Sequence, residues 1–227
     1  MWVKASPSEH EKYLFARAQK YIKKLAWIPG IEMVAVVNSL SMYATHRDSD
    51  IDLFVVTKRY HLWFVRVMTT VVFFLSGVWR HGEDVAENFC LSFFVTMDTI
   101  DLSEIAIEGD IYLYYWVYYM KPILVRGDTY GLFLEKNTWV PVDTAIRIKN
   151  TEYAIEPRYN IFSYILQPFA YILDRIFCFT ILPKTQKRYE QLWKPEGIII
   201  SDSMLKFHNH DRRREVRDAI LKKNFDK

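Results

Sequence analysis

The chain has 227 residues, of which 51% are apolar and 16% aromatic, and its formal net charge is +3. This length and apolar fraction are sufficient for one well-buried core with an appendage or for two small domains, and they exclude collagen-like and low-complexity proteins. Cys90 and Cys178 lie far apart inside apolar runs, so we expect free thiols rather than a disulfide framework. The first residues are charged throughout and contain no apolar signal segment, which favours a cytoplasmic protein.

The first half of the chain alternates helical and strand patterns. Apolar residues at helical spacing predict an amphipathic helix over Ser8 to Ala26, which Pro29-Gly30 ends. Runs of β-branched and aromatic residues predict strands, and one dense apolar run predicts a buried helix. These further elements are strands Ile31 to Val37, Ile51 to Thr57 and Phe89 to Thr96, and helix Leu62 to Val78.

The second half is predicted to be mainly helical. Ile111 to Met120 fits strand or helix by composition, and we prefer helix because Pro122 stops it. A strand over Pro122 to Val125 and a helix over Tyr130 to Lys136 follow, and a polar connection spans 138–157. Beyond it we predict a helix over Tyr159 to Leu182, a short strand over Ile198 to Ser201 and a basic helix over Asp211 to Asn224.

This order of elements predicts an α+β fold, in which a small mixed β-sheet with packed helices precedes a mainly helical C-terminal region. The domain over 1–137 would include the N-terminal helix, 138–157 would connect, and 158–227 would form the C-terminal region with its basic tail. Ile161 to Leu182 is long enough to span a membrane, but Gln167, Pro168, Asp174 and Arg175 interrupt it. Weak contact of this region with a membrane surface or with RNA is an alternative to a solvated basic face.

The most informative stretch of the sequence is Val34 to Thr57, VAVVNSLSMYATHRDSDIDLFVVT. Successive side chains of a strand point to opposite faces, so Asp50 and Asp52 should project to one side while Ile51 and Leu53 enter the core. Two close carboxylates repel each other unless a cation lies between them. Carboxylate oxygens at this spacing suit Mg²⁺, which also coordinates substrate phosphate oxygens. We therefore predict a metal site at Asp50 and Asp52, occupied by Mg²⁺ or by Mn²⁺ in its place.

The turn before this strand predicts an anion site beside the carboxylates. If Ser39 to Tyr43 begin a helix directly after the first strand, their free N–H groups and the Ser39 hydroxyl point toward the metal. A triphosphate would fit both halves of such a site. Asn38, Ser39 and Ser49 are the residues predicted to bind it.

These motifs resemble the nucleotidyltransferase superfamily, which contains DNA polymerase beta, the kanamycin-type antibiotic nucleotidyltransferases and the minimal prokaryotic enzymes. The family signature is an apolar strand, Gly-Ser, a short helix and an acidic-x-acidic strand, and its counterparts here are Asn38-Ser39 and the S-D-I-D-L of residues 49–53. The resemblance covers roughly Ile31 to Val125. The strings N-S-L, S-D-I-D-L-F-V-V-T, C-L-S-F-F-V-T and L-K-F-H are also similar to uncharacterised bacterial nucleotidyltransferase-domain proteins.

The resemblance implies transfer of a nucleoside monophosphate from an NTP to an acceptor hydroxyl on a small molecule, a protein or an RNA. Two positions depart from the family pattern: Asn38 replaces a glycine, and Ser92 is the expected counterpart of a third carboxylate. Alternation places Ser92 on the same face as Cys90 and Phe94. Asp98 and Asp101 either substitute for the third acid or serve as turn and helix-cap residues. The alternative function is a catalytically degenerate protein of the same fold that binds nucleotide or a partner.

Overall fold

A computed structural model describes residues 3–80, 85–157, 160–191, 197–207 and 213–225. Within these ranges the chain forms an α+β fold with a six-stranded sheet of order β4-β1-β2-β3-β6-β5. β2 and β3 are parallel, and the other neighbouring strands are antiparallel. The predicted mixed sheet with packed helices is confirmed at this level.

Most of the helices and strands lie close to their predicted bounds. In chain order they are α1 Glu9–Ile22, β1 Ile31–Val36, α2 Asn38–Ser41, β2 Ile51–Thr57, α3 Leu62–Leu75, β3 Phe89–Thr96, α4 Ile111–Tyr118, β4 Lys121–Val125, α5 Thr129–Lys136, α6 Thr144–Asn150, α7 Ile161–Gln191, β5 Ile199–Ile200, β6 Met204–Lys206 and α8 Arg213–Phe225. The preference for helix over strand at 111–120 is confirmed.

The sheet separates two apolar clusters because its strands alternate between two buried faces. Ile51, Leu53 and Val55 of β2 face α1, α3 and α7, whereas Phe54 and Val56 face α4 and α5. From Met33 onward, β1 alternates in the same way. Both faces are covered by helices, so the strands read as nearly continuous apolar runs in the sequence.

The N-terminal helix is fixed by a capping box. The Ser8 hydroxyl accepts a hydrogen bond from the Glu11 backbone N–H, and the Glu11 carboxylate accepts one from the Ser8 backbone N–H. Glu11 is fully buried and also accepts from the backbone N–H and hydroxyl of Thr45. The start of α1 is thereby tied to the loop that leads into β2.

The C-terminal region contributes to the sheet, which the sequence did not predict. Only one short strand was expected near 198–201, but β5 and β6 form a hairpin, and β6 pairs with β3. β6 has three residues, too few to show alternation in the sequence. The predicted connection contains α6, and its Ile155 forms a bridge with Leu124 of β4.

Helix α7 is longer than predicted because it continues through Pro183. It has 31 residues and contains both Pro168 and Pro183. Both prolines are exposed, so the carbonyls that lose their N–H donors can be hydrated. The start of the predicted basic helix, 211–212, lies outside the described residues.

Candidate metal and nucleotide site

The two predicted carboxylates lie where β2 begins. Ile51 and Leu53 are fully buried, and Asp50 and Asp52 are partly exposed. Cys90 is the partner of Asp52 across the parallel pair β2 and β3. Ligand atoms of Asp50, Asp52 and Cys90 all lie within 4.8 Å of one another, and among the described residues these three could hold a metal ion.

Burial and mutual repulsion set the ionisation of this cluster. Burial, together with the negative charge of Asp50, raises the pKa of Asp52 to about 6. Burial, together with the charge of Asp52, raises the pKa of the Cys90 thiol to about 12, so this thiol is protonated at neutral pH. Arg80 donates from Nη1 to Asp50 Oδ2 at 2.5 Å and lies 3.7 Å from the Cys90 sulfur. The guanidinium therefore supplies a positive charge beside the carboxylates.

Asn38, which stands where the sequence resemblance expects a glycine, positions Asp52. Its φ of 58° is in the left-handed region, which asparagine tolerates better than most residues. Its side chain hydrogen-bonds to the Asp52 carboxylate, and its Oδ1 accepts a hydrogen bond from the Tyr112 hydroxyl at 2.9 Å. The left-handed turn thus connects β2 to α4 through Asn38.

The two predicted serines differ in their surroundings. Ser39 is half-buried at the start of α2, which is a single turn of helix. The hydroxyl of Ser49 accepts a hydrogen bond from the backbone N–H of His46 at 2.8 Å and closes the turn before β2. Ser49 therefore holds the loop that presents Asp50.

The residue beside the carboxylate pair on β3 is Cys90 rather than Ser92. The register between β2 and β3 shifts by one residue after the Asp52–Cys90 pair, so Phe54 pairs with Phe93. This bulge reverses the alternation beyond it. Phe93 therefore faces the α4 side with Phe54, and the prediction that Phe94 shares a face with Cys90 is wrong. The Ser92 hydroxyl hydrogen-bonds to the Cys90 sulfur.

The two acidic residues after β3 have structural roles. Asp98 forms an ion pair with Arg59, with 3.4 Å between Nε and Oδ2. The Asp101 carboxylate accepts a hydrogen bond from the backbone N–H of Ser103 at 2.9 Å and caps the 3-10 turn over 102–105. These contacts agree with the interpretation of Asp98 and Asp101 as turn and helix-cap residues.

A basic cavity of about 960 Å³ adjoins the cluster at Arg80 and Cys90. It lies between α3, the C-terminal half of α7 and the first half of β3. Its cationic side chains are Arg66, Arg80, Lys184 and Arg188, and the described residues that line it include no carboxylate. Its apolar walls include Trp63, Val67, Val71, Trp79, Ile181 and Phe207. A cavity of this size and charge suits a small-molecule anion.

Sequence reasoning missed most of this cavity. Arg66, Lys184 and Arg188 were not singled out from the sequence. The spacing of Lys184 and Arg188, four residues on a helix, which places both on one side, was the available signal. Burial lowers the pKa of Arg66 to about 10, so its guanidinium remains charged at neutral pH beside the rings of Phe94 and Phe207.

Comparison with known proteins finds no match. Neither a family model, nor a curated protein, nor a solved structure matches this chain. These comparisons therefore do not support a link to the nucleotidyltransferases, and the resemblance rests on the sequence motif over 38–57.

The basic C-terminal helix lies apart from this cavity. Arg213 donates to the Ile105 carbonyl at 2.6 Å and forms an ion pair with Asp110, with 3.2 Å between Nη1 and Oδ2. Both side chains are largely buried. Arg213 therefore attaches α8 beside α4, and at least part of the basic run serves packing.

Proposed function

We propose that this chain binds a nucleoside triphosphate with a divalent cation and transfers the nucleoside monophosphate to an acceptor hydroxyl. The observation that carries this proposal is the convergence of Asp50 and Asp52 beside a cavity whose charged side chains are all basic. A triphosphate needs both features, because its charge must be neutralised while its position is fixed.

The donor set fits a hard divalent cation. Asp50 and Asp52 provide carboxylate oxygens, which Mg²⁺ prefers, and Mn²⁺ accepts the same ligands. Burial, together with the negative charge of Asp50, raises the pKa of Asp52, and a bound cation would favour its ionised form. When bound, the cation would neutralise phosphate charge and assist phosphoryl transfer.

The remaining side chains suggest how the substrate is held. Arg66, Lys184 and Arg188 would bind phosphate oxygens, and the apolar wall formed by Trp63 and Trp79 would receive the base or the acceptor. In the reaction the acceptor oxygen bonds to the α-phosphorus, the bond between that phosphorus and the β-phosphate oxygen breaks, and pyrophosphate leaves. The proton of the acceptor hydroxyl is released to water.

A second function, nucleotide binding without transfer, is favoured by one observation. The third position of the cluster is a thiol with a pKa of about 12, which serves neither as a general base nor as a charged ligand at neutral pH. A binding protein would keep Asp50, Asp52 and the basic cavity but transfer nothing.

Calorimetry with each NTP tests the binding step. We expect binding that needs Mg²⁺, that EDTA removes, and that Asp50→Asn with Asp52→Asn abolishes. Asp98→Asn is the matched control, because Asp98 is an exposed carboxylate paired with Arg59 and should leave affinity unchanged. Lys184→Gln with Arg188→Gln should weaken binding and reduce its dependence on salt concentration. Equal affinity in the Asp50/Asp52 double variant would remove the basis of the proposal.

Incubation with α-labelled NTPs separates the enzyme from the binding protein. Label that passes to protein, RNA or a small molecule, and is lost in Asp52→Asn, supports transfer. Cys90→Asp restores a carboxylate beside Asp52, so we expect it to increase transfer, whereas Cys90→Ser, which changes the thiol without adding charge, should not. Binding without label transfer in the wild type and in Cys90→Asp would support the binding protein.

A further inference from the structure

Helix α7 presents a long apolar surface to solvent. Of the large apolar side chains that the structure describes as exposed, ten lie on this helix, between Ile161 and Phe179. The exposed positions over 161–183 include no charged residue. This stretch of about 23 residues is roughly 34 Å long at 1.5 Å per residue. Apolar surface of this extent marks a contact site rather than an ordinary solvated face.

The opposite side of α7 is attached to the protein by polar contacts. Asp174 is fully buried, and its Oδ1 accepts hydrogen bonds from the backbone N–H groups of Trp63 and Phe64 at 2.8 and 3.0 Å. These groups lie at the start of α3, so Asp174 satisfies free donors of that helix. Ser163 and Ala170 are also buried on this side, and the Ser163 hydroxyl donates to the Trp27 carbonyl at 2.8 Å.

Helices α3 and α7 run parallel where they contact each other. Gln167 hydrogen-bonds to His61, Asp174 contacts the start of α3, and Ile181 lines the cavity together with Thr70. The contacts thus advance in the same direction along both helices. The carboxylate of Asp174, whose charge in the middle of α7 argues against a membrane span, points toward α3. A helix held along one side in this way can lie on a bilayer without crossing it.

The charge that follows the apolar surface indicates what covers it. Lys187 follows the uncharged stretch and is exposed, and it is not among the residues that line the basic cavity, unlike Lys184 and Arg188. Lys187 lies 18 residues after Phe169, which is five full turns of a helix, so both point in the same direction. Tyrosines at exposed positions 164 and 171 are also typical of the boundary between lipid and water. An apolar helical face continued by lysine is complementary to anionic phospholipid.

We propose that α7 docks this chain on the surface of an anionic phospholipid bilayer, with its uncharged outer face inserted at the lipid–water boundary and Lys187 beside the headgroups. α3 and the sheet stay on the aqueous side. This docking is independent of the nucleotide chemistry proposed above.

Flotation of the full chain with vesicles tests the proposal. We expect the wild type to float with vesicles of phosphatidylcholine and phosphatidylglycerol and less with phosphatidylcholine alone. Phe169→Ser with Ile172→Ser should lower the bound fraction about tenfold or more, because both side chains are over half exposed and would enter the lipid. Lys187→Glu should lower binding to the anionic vesicles only.

The matched control is Leu132→Ser with Ile148→Ser, which removes exposed apolar groups on α5 and α6 and should float like the wild type. Unchanged urea unfolding of the Phe169/Ile172 double variant would show that its loss of flotation is not a loss of folding. The proposal is overturned if this variant floats as well as the wild type, or if the wild type does not float. Light scattering that shows a dimer which the same variant dissociates, without vesicle binding, would identify a second copy of the chain as the occupant.

Discussion

Replacing Asp174 tests how α7 is held on the protein. In Asp174→Ala the backbone N–H groups of Trp63 and Phe64 lose their acceptor, and Arg175 loses its partner at 2.6 Å. Removal of a helix cap costs about 1 kcal/mol, and each buried donor left without a partner costs about 1 to 3 kcal/mol. We therefore expect the free energy of unfolding to fall by about 3 kcal/mol, a large part of the roughly 5 to 15 kcal/mol typical of a native protein.

Urea unfolding followed by circular dichroism measures this change. With a slope of about 2 to 3 kcal/mol per molar urea, the midpoint should fall by about 1 M. Asp174→Asn keeps an oxygen acceptor and loses only the charge, so its effect should be about half as large. Asp128→Ala is the matched control: Asp128 also precedes a helix, but its side chain makes no capping bond and is 69% exposed. An unchanged midpoint in Asp174→Ala, or an equal loss in Asp128→Ala, would refute the reasoning.

Three further predictions concern the site and α1. In EDTA, Asp52 keeps its proton up to about pH 6 in the folded protein but only up to about pH 3.8 in the unfolded chain, so the stability that this group contributes is lost as the pH rises between these values. Asp52→Asn should therefore stabilise the protein above pH 6 and not at pH 4. A difference in urea midpoint between variant and wild type that stays the same at both pH values would contradict this. Arg80→Gln removes the guanidinium that pairs with Asp50, so we expect the variant to have a lower Tm than the wild type in EDTA and a larger rise in Tm when Mg²⁺ is added. A variant whose Tm equals that of the wild type both in EDTA and in Mg²⁺ would argue against the pairing. Ser8→Ala removes the capping box of α1 and should lower stability by about 1 kcal/mol, and the comparison is Ser39→Ala at the start of α2, where no side chain caps the helix; no change in Ser8→Ala would show that the cap is not needed.

Local sequence patterns were sufficient for most elements and for the carboxylate pair. β2 and β3 were predicted with the bounds that the structure has, because buried strands flanked by turn residues leave a clear apolar run. Asp50 and Asp52 share a face because the period of a strand is two, and no tertiary contact is needed to infer this. The predicted helix start at Ser8 coincides with the N-cap of α1.

Tertiary contacts decided the rest of the site. Which residue of β3 lies beside Asp52 depends on the register of a strand pair remote in sequence and on a bulge, so Cys90 takes the place expected for Ser92. The cavity needs Arg66 and Lys184, which are more than 100 residues apart and meet only because α3 and α7 pack in parallel. Asp174 looked like an interruption of an apolar helix, and its role as a cap for α3 follows from that same packing. Sequence periodicity fixes the direction of a side chain on its own element, whereas the partner it meets is set by how distant elements pack together.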